Sequence, residues 1–284
     1  MNGNTGGGKV DLHLHSTASD GQLAPAAVVE RAVHAGVVGL SLSDHDTVAG
    51  LNEAWEAARR FGVRLLSATE LSARIDGYAP HLLAYGFDPD SKDLLGFMKE
   101  CKDYRYGRAV EIVRLLNTVG VPLRMEQVEA AAGDAAVTRA HIGRELVRRG
   151  FVRRIGDAFD KWIGEGGPAY LDKAPIPPSD VFKAVHAAGG VVILAHPGTT
   201  YPVELIKEWI EQGLDGIEVM HPSNSPGVRR MALKLIEQHD LLPSGGSDWH
   251  GPEGHRPGPG TEKVPVEWLD QIEKRCEWKY ATTN

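Results

Sequence analysis

The sequence predicts an α/β fold in which βα units build a parallel sheet or barrel. Three observations point there. Short apolar runs alternate with amphipathic stretches along most of the chain, the pattern of strands that return through helices. Gly36, Gly62, Gly189 and Gly213 stand where those helices should stop. The chain has 284 residues, 42% of them hydrophobic, which suits one large domain or one domain carrying an insertion.

In order, a strand over 10–15 leads to a helix over 26–35 that stops at Gly36, and a strand over 37–43 leads to a helix over 51–61 that stops at Gly62. A strand over 63–71 follows, then Asp76-Gly77, a turn signal that reads as a small hairpin at the sheet edge, then a strand over 81–85. The alternation breaks between about 90 and 172, where helices over 94–118, 125–132, 139–149 and 157–163 follow one another in an Arg-richer stretch. Its exit, Ala174-Pro175-Ile176-Pro177-Pro178, is a stiff connector. The alternation then resumes: helix 179–188, strand 191–196, helix 203–212, strand 216–221, helix 228–239, strand 242–247 and helix 266–277. The expected organisation is an α/β body over 9–89 and 173–278, with a helical insertion or cap over 90–172.

Composition narrows the function classes. The formal net charge is −7 and no long basic run occurs, which argues against duplex nucleic acid as a partner but leaves room for a small or single-stranded phosphate substrate. Cys101 and Cys276 form no CxxC pair, which argues against a disulfide framework and a thiolate metal site. The polar start MNGNTGGGK lacks the apolar core of a signal peptide, and no apolar run would span a bilayer. The expectation is a cytoplasmic protein without a membrane partner.

The residues that carry chemistry cluster at strand ends. His13 and His15 end the first strand, with Asp20 in the loop after it; His45 follows the second and Glu70 ends the third. His81 adjoins the fourth strand, His196 ends the fifth, and Asp248 and His250 follow the seventh. In a parallel βα architecture the strand C-termini share one rim, and active sites are built there. Imidazole and carboxylate suit Zn²⁺, Mn²⁺ or Fe²⁺, and the i, i+2 spacing of His13 and His15 puts both on one face. Asp20, Glu70 and Asp248 in one pocket would repel one another without cations. Nine candidate ligands are too many for one ion and fit up to three that keep positions open for water and substrate. Of the twelve histidines, six belong to this set; His34, His186 and His239 read as surface helix residues and His255 as a solvated loop residue. A lone strand-end histidine is more often structural, so the joint pattern carries the reading.

Asp11-Leu12-His13-Leu14-His15-Ser16, Ser43-Asp44-His45-Asp46, Ala195-His196-Pro197 and Gly246-Ser247-Asp248-Trp249-His250 together resemble the PHP superfamily, named for polymerase and histidinol phosphatase. The resemblance implies a distorted (β/α)7 barrel with two to three divalent ions, Mn²⁺ first and Fe²⁺ or Zn²⁺ as alternatives. It implies that His13, His15, Glu70 and Asp248 hold one ion, that Glu70 bridges to a second with His81 and His196, and that Asp20, His45 and His250 hold the third. It further implies that Asp11 and Asp44 orient imidazoles, their alternative being caps of the adjoining turns. Thr138-Arg139-Ala140-His141-Ile142-Gly143 and Glu218-Val219-Met220-His221-Pro222 look like the subgroup that removes the 3′-phosphate from nucleoside 3′,5′-bisphosphates, some relatives of which trim RNA from the 5′ end.

The implied function is a metal-dependent phosphoesterase acting on a nucleotide or short single-stranded RNA. Metal coordination lowers the pKa of water from about 15.7 towards about 7, so no Ser or Cys nucleophile is needed. His221 is a candidate for protonating the leaving group or binding phosphate. Arg139 is the candidate for fixing a substrate phosphate through its planar fork, with His141 nearby as a further substrate contact. Each has a plainer alternative as a structural or solvated residue. Rival readings are a histidinol-phosphate phosphatase, an amidohydrolase and a non-catalytic metal-stabilised binding module. No lysine stands at a strand end to bridge metals as an amidohydrolase would need; Glu70 takes that place.

Overall fold

The computed structural model describes residues 8–133, 135–172, 176–253 and 257–278. Lys9–Leu14 (β1), Val37–Leu42 (β2) and Arg64–Leu66 (β3) pair in parallel, and Val264–Pro265 (β9) adds antiparallel to β1. A second sheet runs Ala68–Ser72 (β4), His81–Tyr85 (β5), Val191–Leu194 (β6), Gly216–Met220 (β7) and Leu242–Gly245 (β8), in that order. The fold is thus mixed α/β, as the sequence predicts, but two details differ.

The single strand expected over 63–71 is two. The chain leaves one sheet at Ser67, whose hydroxyl donates to the Phe87 carbonyl (2.9 Å) and whose carbonyl accepts from the Gly86 amide (2.9 Å), and enters the other. The arrangement is also not wholly parallel, because β5 runs antiparallel to both β4 and β6. The cause is the Asp76-Gly77 turn. Both residues have positive φ (46° and 83°), and Ile75 and Tyr78 exchange two backbone hydrogen bonds of 2.9 and 2.8 Å. Such a turn reverses the chain directly, so the next strand pairs antiparallel, whereas a parallel neighbour needs a crossover. The reversal puts His81, the first residue of β5, opposite Ser72 at the end of β4, and its carbonyl accepts from the Ala195 amide (3.0 Å) beyond the end of β6. The start of one strand therefore reaches the rim formed by the ends of its neighbours.

Isolated parallel bridges connect the sheets, His45 with Glu70 and Leu14 with Trp249. Crossover helices Pro25–His34 (α1) and Leu51–Phe61 (α2) cover β1 and β2 through Val28, Val29, Ala32, Ala54, Ala57 and Ala58. Between β5 and β6 come Lys92–Thr118 (α3), Met125–Ala132 (α4), Arg139–Arg148 (α5) and Ile155–Ala158 (α6). The stretch read as a helix over 157–163 ends instead in a π-helical turn, Phe159–Ile163. Pro178–Ala187 (α7), Val203–Glu211 (α8), Pro226–His239 (α9) and Val266–Arg275 (α10) complete the chain.

Helix α3 serves two hydrophobic clusters. Leu94 and Met98 pack with Phe182, Trp209 and Ile217 beneath the second sheet, whereas Ala109, Ile112, Val113 and Leu116 pack only with the following helices, through Ile142, Leu146, Ile163 and Ala169. His255, Ala174, Pro175 and the first seven residues lie outside the described residues. Cys101 and Cys276 are buried free thiols, and no helix among the described residues is long and apolar enough to cross a membrane.

Close packing of β1 on the segment after β8 is a condition for the rim. A Cβ at Gly246 would lie 2.4 Å from the His13 backbone nitrogen and 2.5 Å from its Cβ. Gly246→Ala is therefore expected to lower the unfolding free energy by about 1–3 kcal/mol, the usual scale of overpacking. Urea unfolding of metal-free protein measures it; an unchanged midpoint would show that the strands separate freely.

Candidate metal centre

The fold brings all nine candidate ligands together. His13 lies on β1 and His15 just past its end; His45 follows β2; Glu70 lies on β4; His81 opens β5; His196 follows β6; Asp248 and His250 follow β8. Three residues at these strand ends have left-handed backbone: His196 (φ 25°), Asp248 (φ 51°) and Asp46 (φ 51°). Non-glycine residues in that region cost about 1–3 kcal/mol each and persist where their surroundings hold them.

The donor atoms are spaced for cations rather than for one another. His13 Nε2 and His15 Nε2 each lie 3.2–3.5 Å from Glu70 Oε2 and Asp248 Oδ1. Yet His13 Nε2, both His15 nitrogens and His45 Nδ1 are buried without a hydrogen bond. Buried polar groups normally have partners. Two ligands each about 2.1 Å from one ion, at the tetrahedral angle, stand roughly 3.4 Å apart. That is the separation seen here, so the residues fit an ion shared by these four side chains. The other Glu70 oxygen, Oε1, faces His81 Nδ1 at 2.7 Å and His196 Nε2 at 3.1 Å. Asp20 faces His250 Nε2 at 3.3 Å and His15 and His45 at 3.8 Å each. His15, Asp20, His45 and His250 form one donor group and His45, Glu70 and His81 another.

Electrostatics agree. Burial alone would hold the carboxylates protonated, but His45, His81 and His13 push the Glu70 carboxyl well below its usual range. Burial is likewise outweighed at Asp248, chiefly by His13 and His15, and at Asp20, chiefly by His250 and His45. Conversely, burial would strip the proton from His15, but Asp248 and Glu70 raise its pKa to about 10. His13 is raised in the same way by Glu218, Asp248 and Glu70. Burial, with repulsion from His15 and Arg105, outweighs Glu70 and Asp20 at His45, whose pKa drops to about 3. Carboxylates and imidazoles buried this closely need shared positive charge, which protons at His13 and His15 or cations can supply.

The supporting residues differ from expectation. Asp11 accepts from the amides of His13 (3.3 Å), Ser247 (3.0 Å) and Gly260 (2.7 Å), and Asp44 from the Ser16 amide (2.8 Å) and the Ser16 and Ser19 hydroxyls (2.6 Å each). Neither orients an imidazole; both fix loops. Glu218, which the sequence reading placed on its strand without a role, does orient one. Its Oε1 lies 2.9 Å from His13 Nδ1, and its Oε2 accepts from the His196 amide at 2.6 Å. A carboxylate midway along an apolar strand, which must find a partner when buried, was the available signal. His221, read as a leaving-group acid or phosphate contact, is fully buried behind Asp248. Its Nδ1 accepts from the Ser223 amide (3.1 Å), so Nε2 carries the proton toward Asp248 Oδ2 (3.3 Å). It positions Asp248 and does not line the cleft.

That cleft, about 170 Å³, is lined by Asp20, His45 and His81 from the α/β body and by Arg105, Arg108, Arg139 and Phe159 from the helical run. Arg139 opens α5, donates to the Ile163 carbonyl (3.3 Å) and lies 5.2 Å over the Phe159 ring. Burial lowers the pKa of Arg139, and burial with Arg139 nearby lowers that of Arg108 to about 10. His141 does not line the cleft, contrary to its reading as a substrate contact. Its Nδ1 accepts from the Thr138 amide (3.0 Å), closing the α5 capping box. Burial lowers its pKa to about 4, so it stays neutral.

Residues 11–119 match the PHP domain family. The chain is 38% identical over 253 residues to a 5′-3′ exoribonuclease of Haemophilus influenzae, covering 87% of this chain and 91% of that one. It is 33% identical over 264 residues to a 3′,5′-nucleoside bisphosphate phosphatase of Chromobacterium violaceum, covering 90% and 92%. A solved Bifidobacterium adolescentis structure, provisionally described as a metal-dependent phosphoesterase, superposes with a TM-score of 0.90 at 31% identity, covering 96% and 98%.

Two measurements test the centre. A histidine ligand must be neutral, and His15 stays protonated up to about pH 10 in metal-free protein. Metal uptake at pH 7.5 should therefore release at least about one proton per chain, and affinity should rise with pH towards that value. Calorimetry in two buffers of different ionisation enthalpy reads the release; none would contradict the assignment. Glu218→Gln removes the charge behind His13 and should weaken metal binding by about 10–100-fold, read by competition with a chelating dye; unchanged affinity would make Glu218 purely structural.

Proposed function

Because this chain belongs to the PHP family and is a metal-dependent phosphoesterase, we propose that it hydrolyses a phosphate ester of a nucleotide that carries a second phosphate. The observation that carries this reading is the cleft, which sets metal-capable side chains against arginines. Among the described residues, Arg108 and Arg139 have no carboxylate within salt-bridge distance, although each is largely desolvated. A buried cation without a counter-charge is stabilised by a bound anion. The reacting phosphate would meet Asp20, His45 and His81, and a second phosphate the arginines. Nucleoside 3′,5′-bisphosphates have that pair of charges.

In this reading the nine residues hold two or three divalent ions, Mn²⁺ first, in the sets the family resemblance implies: His13, His15, Glu70 and Asp248; Glu70, His81 and His196; Asp20, His45 and His250, which the donor groups of the structure overlap in part. Such ions supply an activated water and charge neutralisation on the phosphoryl oxygens. Glu70 faces two sets at once, Glu218 and His221 hold His13 and Asp248 in orientation, and Arg139 stacks on Phe159 and gives one Nη1 hydrogen to the Ile163 carbonyl, leaving its other N–H groups for an anion. The α/β body over 9–89 and 173–278 would be a distorted barrel, supported by the two bridges between the sheets. The segment over 90–172 would be a cap, supported by the residues it contributes to the cleft.

A 5′-3′ exoribonuclease activity is the second reading. The cleft is smaller than the roughly 300–1,000 Å³ of an enclosing small-molecule site. Most of a nucleotide would lie outside it, as a continuing chain requires. Phosphate release from a nucleoside 3′,5′-bisphosphate, a nucleoside monophosphate and p-nitrophenyl phosphate, beside degradation of a short 5′-phosphorylated RNA, separates the two.

Arg139→Ala is expected to lower kcat/KM for the bisphosphate by about ten- to a hundredfold, the scale of a lost charged hydrogen bond of about 1.5–3 kcal/mol, with p-nitrophenyl phosphate little changed. Equal loss on both would assign Arg139 to the reacting phosphate or the fold. Elemental analysis of metal-loaded protein should find two to three ions per chain; fewer than one would overturn the metal reading.

A further inference from the structure

Apart from the Arg74–Asp172 ion pair and the Arg105 contact to Ser72, the polar side-chain contacts between the helical segment and the α/β body go to the two loops that carry Asp20 and His45. From α5, Arg144 donates to the Asp20 carbonyl. From α3, Arg105 binds the Asp46 carboxylate through Nε (2.9 Å) and Nη2 and the Ser72 hydroxyl (3.0 Å), and Lys102 donates to the Thr47 hydroxyl (3.2 Å). Asp44 ties the two loops to each other by accepting from Ser16 and Ser19. No described hydrogen bond or ion pair runs from α3 or α5 to His13 or His196. Those two are held from the opposite side by Glu218.

Apolar packing does not do this work. The cluster formed by α5 and its neighbours contains no residue of β1, β2 or their loops, and the Leu14–Trp249 cluster contains none of α5. Besides the spine of α3, what seats α5 against the rim is this set of charged and polar contacts. Arg144 has no carboxylate partner among the described residues, and its Nε is buried without a hydrogen bond. The guanidinium is thus committed to a backbone carbonyl in a buried stretch of the loop, a contact that exists only while the Asp20 loop keeps its present course.

Resting on the ligand sets given under the proposed function, we infer that Arg144 and Arg105 are positioning residues for the one ion that Asp20, His45 and His250 would hold, so that loading of this ion and seating of the helical segment are a single equilibrium. An ion that fixes Asp20 and His45 fixes the two loops that α5 and α3 grip. A seated α5 in turn holds Asp20 in place, and the coupling is reciprocal. Arg139 opens the same helix, so the arginine wall of the cleft comes into register with the rim as that ion binds. Occupancy of one ion would then govern recognition of the substrate's remainder, while the other two ions stay independent of the helical segment.

The experiment uses the full chain and Mn²⁺ alone. Bound Mn²⁺ is counted against free Mn²⁺ by electron paramagnetic resonance for the unaltered protein, Arg144→Met, Arg144→Lys, Arg105→Lys and Asp20→Asn, with amide hydrogen exchange followed over residues 139–148. The expected result is that Arg144→Met weakens one ion by about 10–100-fold and leaves the others unchanged, with partial recovery in Arg144→Lys and the same single ion affected in Arg105→Lys. Mn²⁺ should slow exchange in α5 of the unaltered protein but not of Arg144→Met. Arg144→Met and Arg105→Lys that leave every ion unchanged, or weaken all ions equally, would overturn the inference. If Asp20→Asn loses one ion while the arginine variants lose none, only the inference fails. If Asp20→Asn also loses none, the ligand assignment itself fails.

Discussion

Glu70 is the constraint on which the site depends. One of its oxygens faces His13, His15 and His45, and the other faces His81 and His196. A buried carboxylate ringed by imidazoles is tolerable only if positive charge is shared among them, as protons or as metal ions. Its position follows from backbone decisions well away from it. The chain must change sheets at Ser67 for β4 to start, and β4 must pair antiparallel with β5 for His81 to meet the same carboxylate. The bridge from His45 to Glu70 then joins the second sheet to the first beside the cluster.

Around that centre the carboxylates divide into two kinds by what they touch. Glu70, Asp248 and Asp20 face ring nitrogens at spacings mostly longer than a good hydrogen bond, while Asp11 and Asp44 accept several short bonds from amides and hydroxyls. The second kind is fully occupied and immobilises loops; the first has coordination to spare. Glu218 stands between them, with one oxygen on an imidazole and the other on a backbone amide, so a single side chain orients His13 and fixes the turn bearing His196.

The metal-capable side chains and the arginines of the cleft come from different parts of the chain. The strand ends supply the imidazoles and carboxylates, and the helical run supplies arginines whose desolvation favours an anion in the cleft. The π-helical turn places Phe159 under Arg139, and the Thr138–His141 capping box fixes where α5 begins and so where Arg139 sits. The helical run reaches the ligand-bearing loops directly at Lys102, Arg105 and Arg144.

The sequence by itself determined the alternation of strands and helices, the helical interruption over 90–172 and the set of side chains gathered at the rim. These are legible because periodicity, glycine stops and residue chemistry are local properties, and His13, His15 and His45 sit beside strands recognisable from their own apolar runs. Tertiary structure alone decided the reversal of β5, although its turn was visible as Asp76-Gly77, because pairing direction depends on which neighbours a strand finds. It also decided that His141 and His221 face inward to Thr138 and Asp248 rather than to a substrate, since a histidine's role is set by what lies opposite each ring nitrogen. Arg105 left no trace in a long charged helix, yet its partner Asp46 lies 59 residues away in sequence. Contacts of that separation have no local signature, and only the packed fold brings their two halves together.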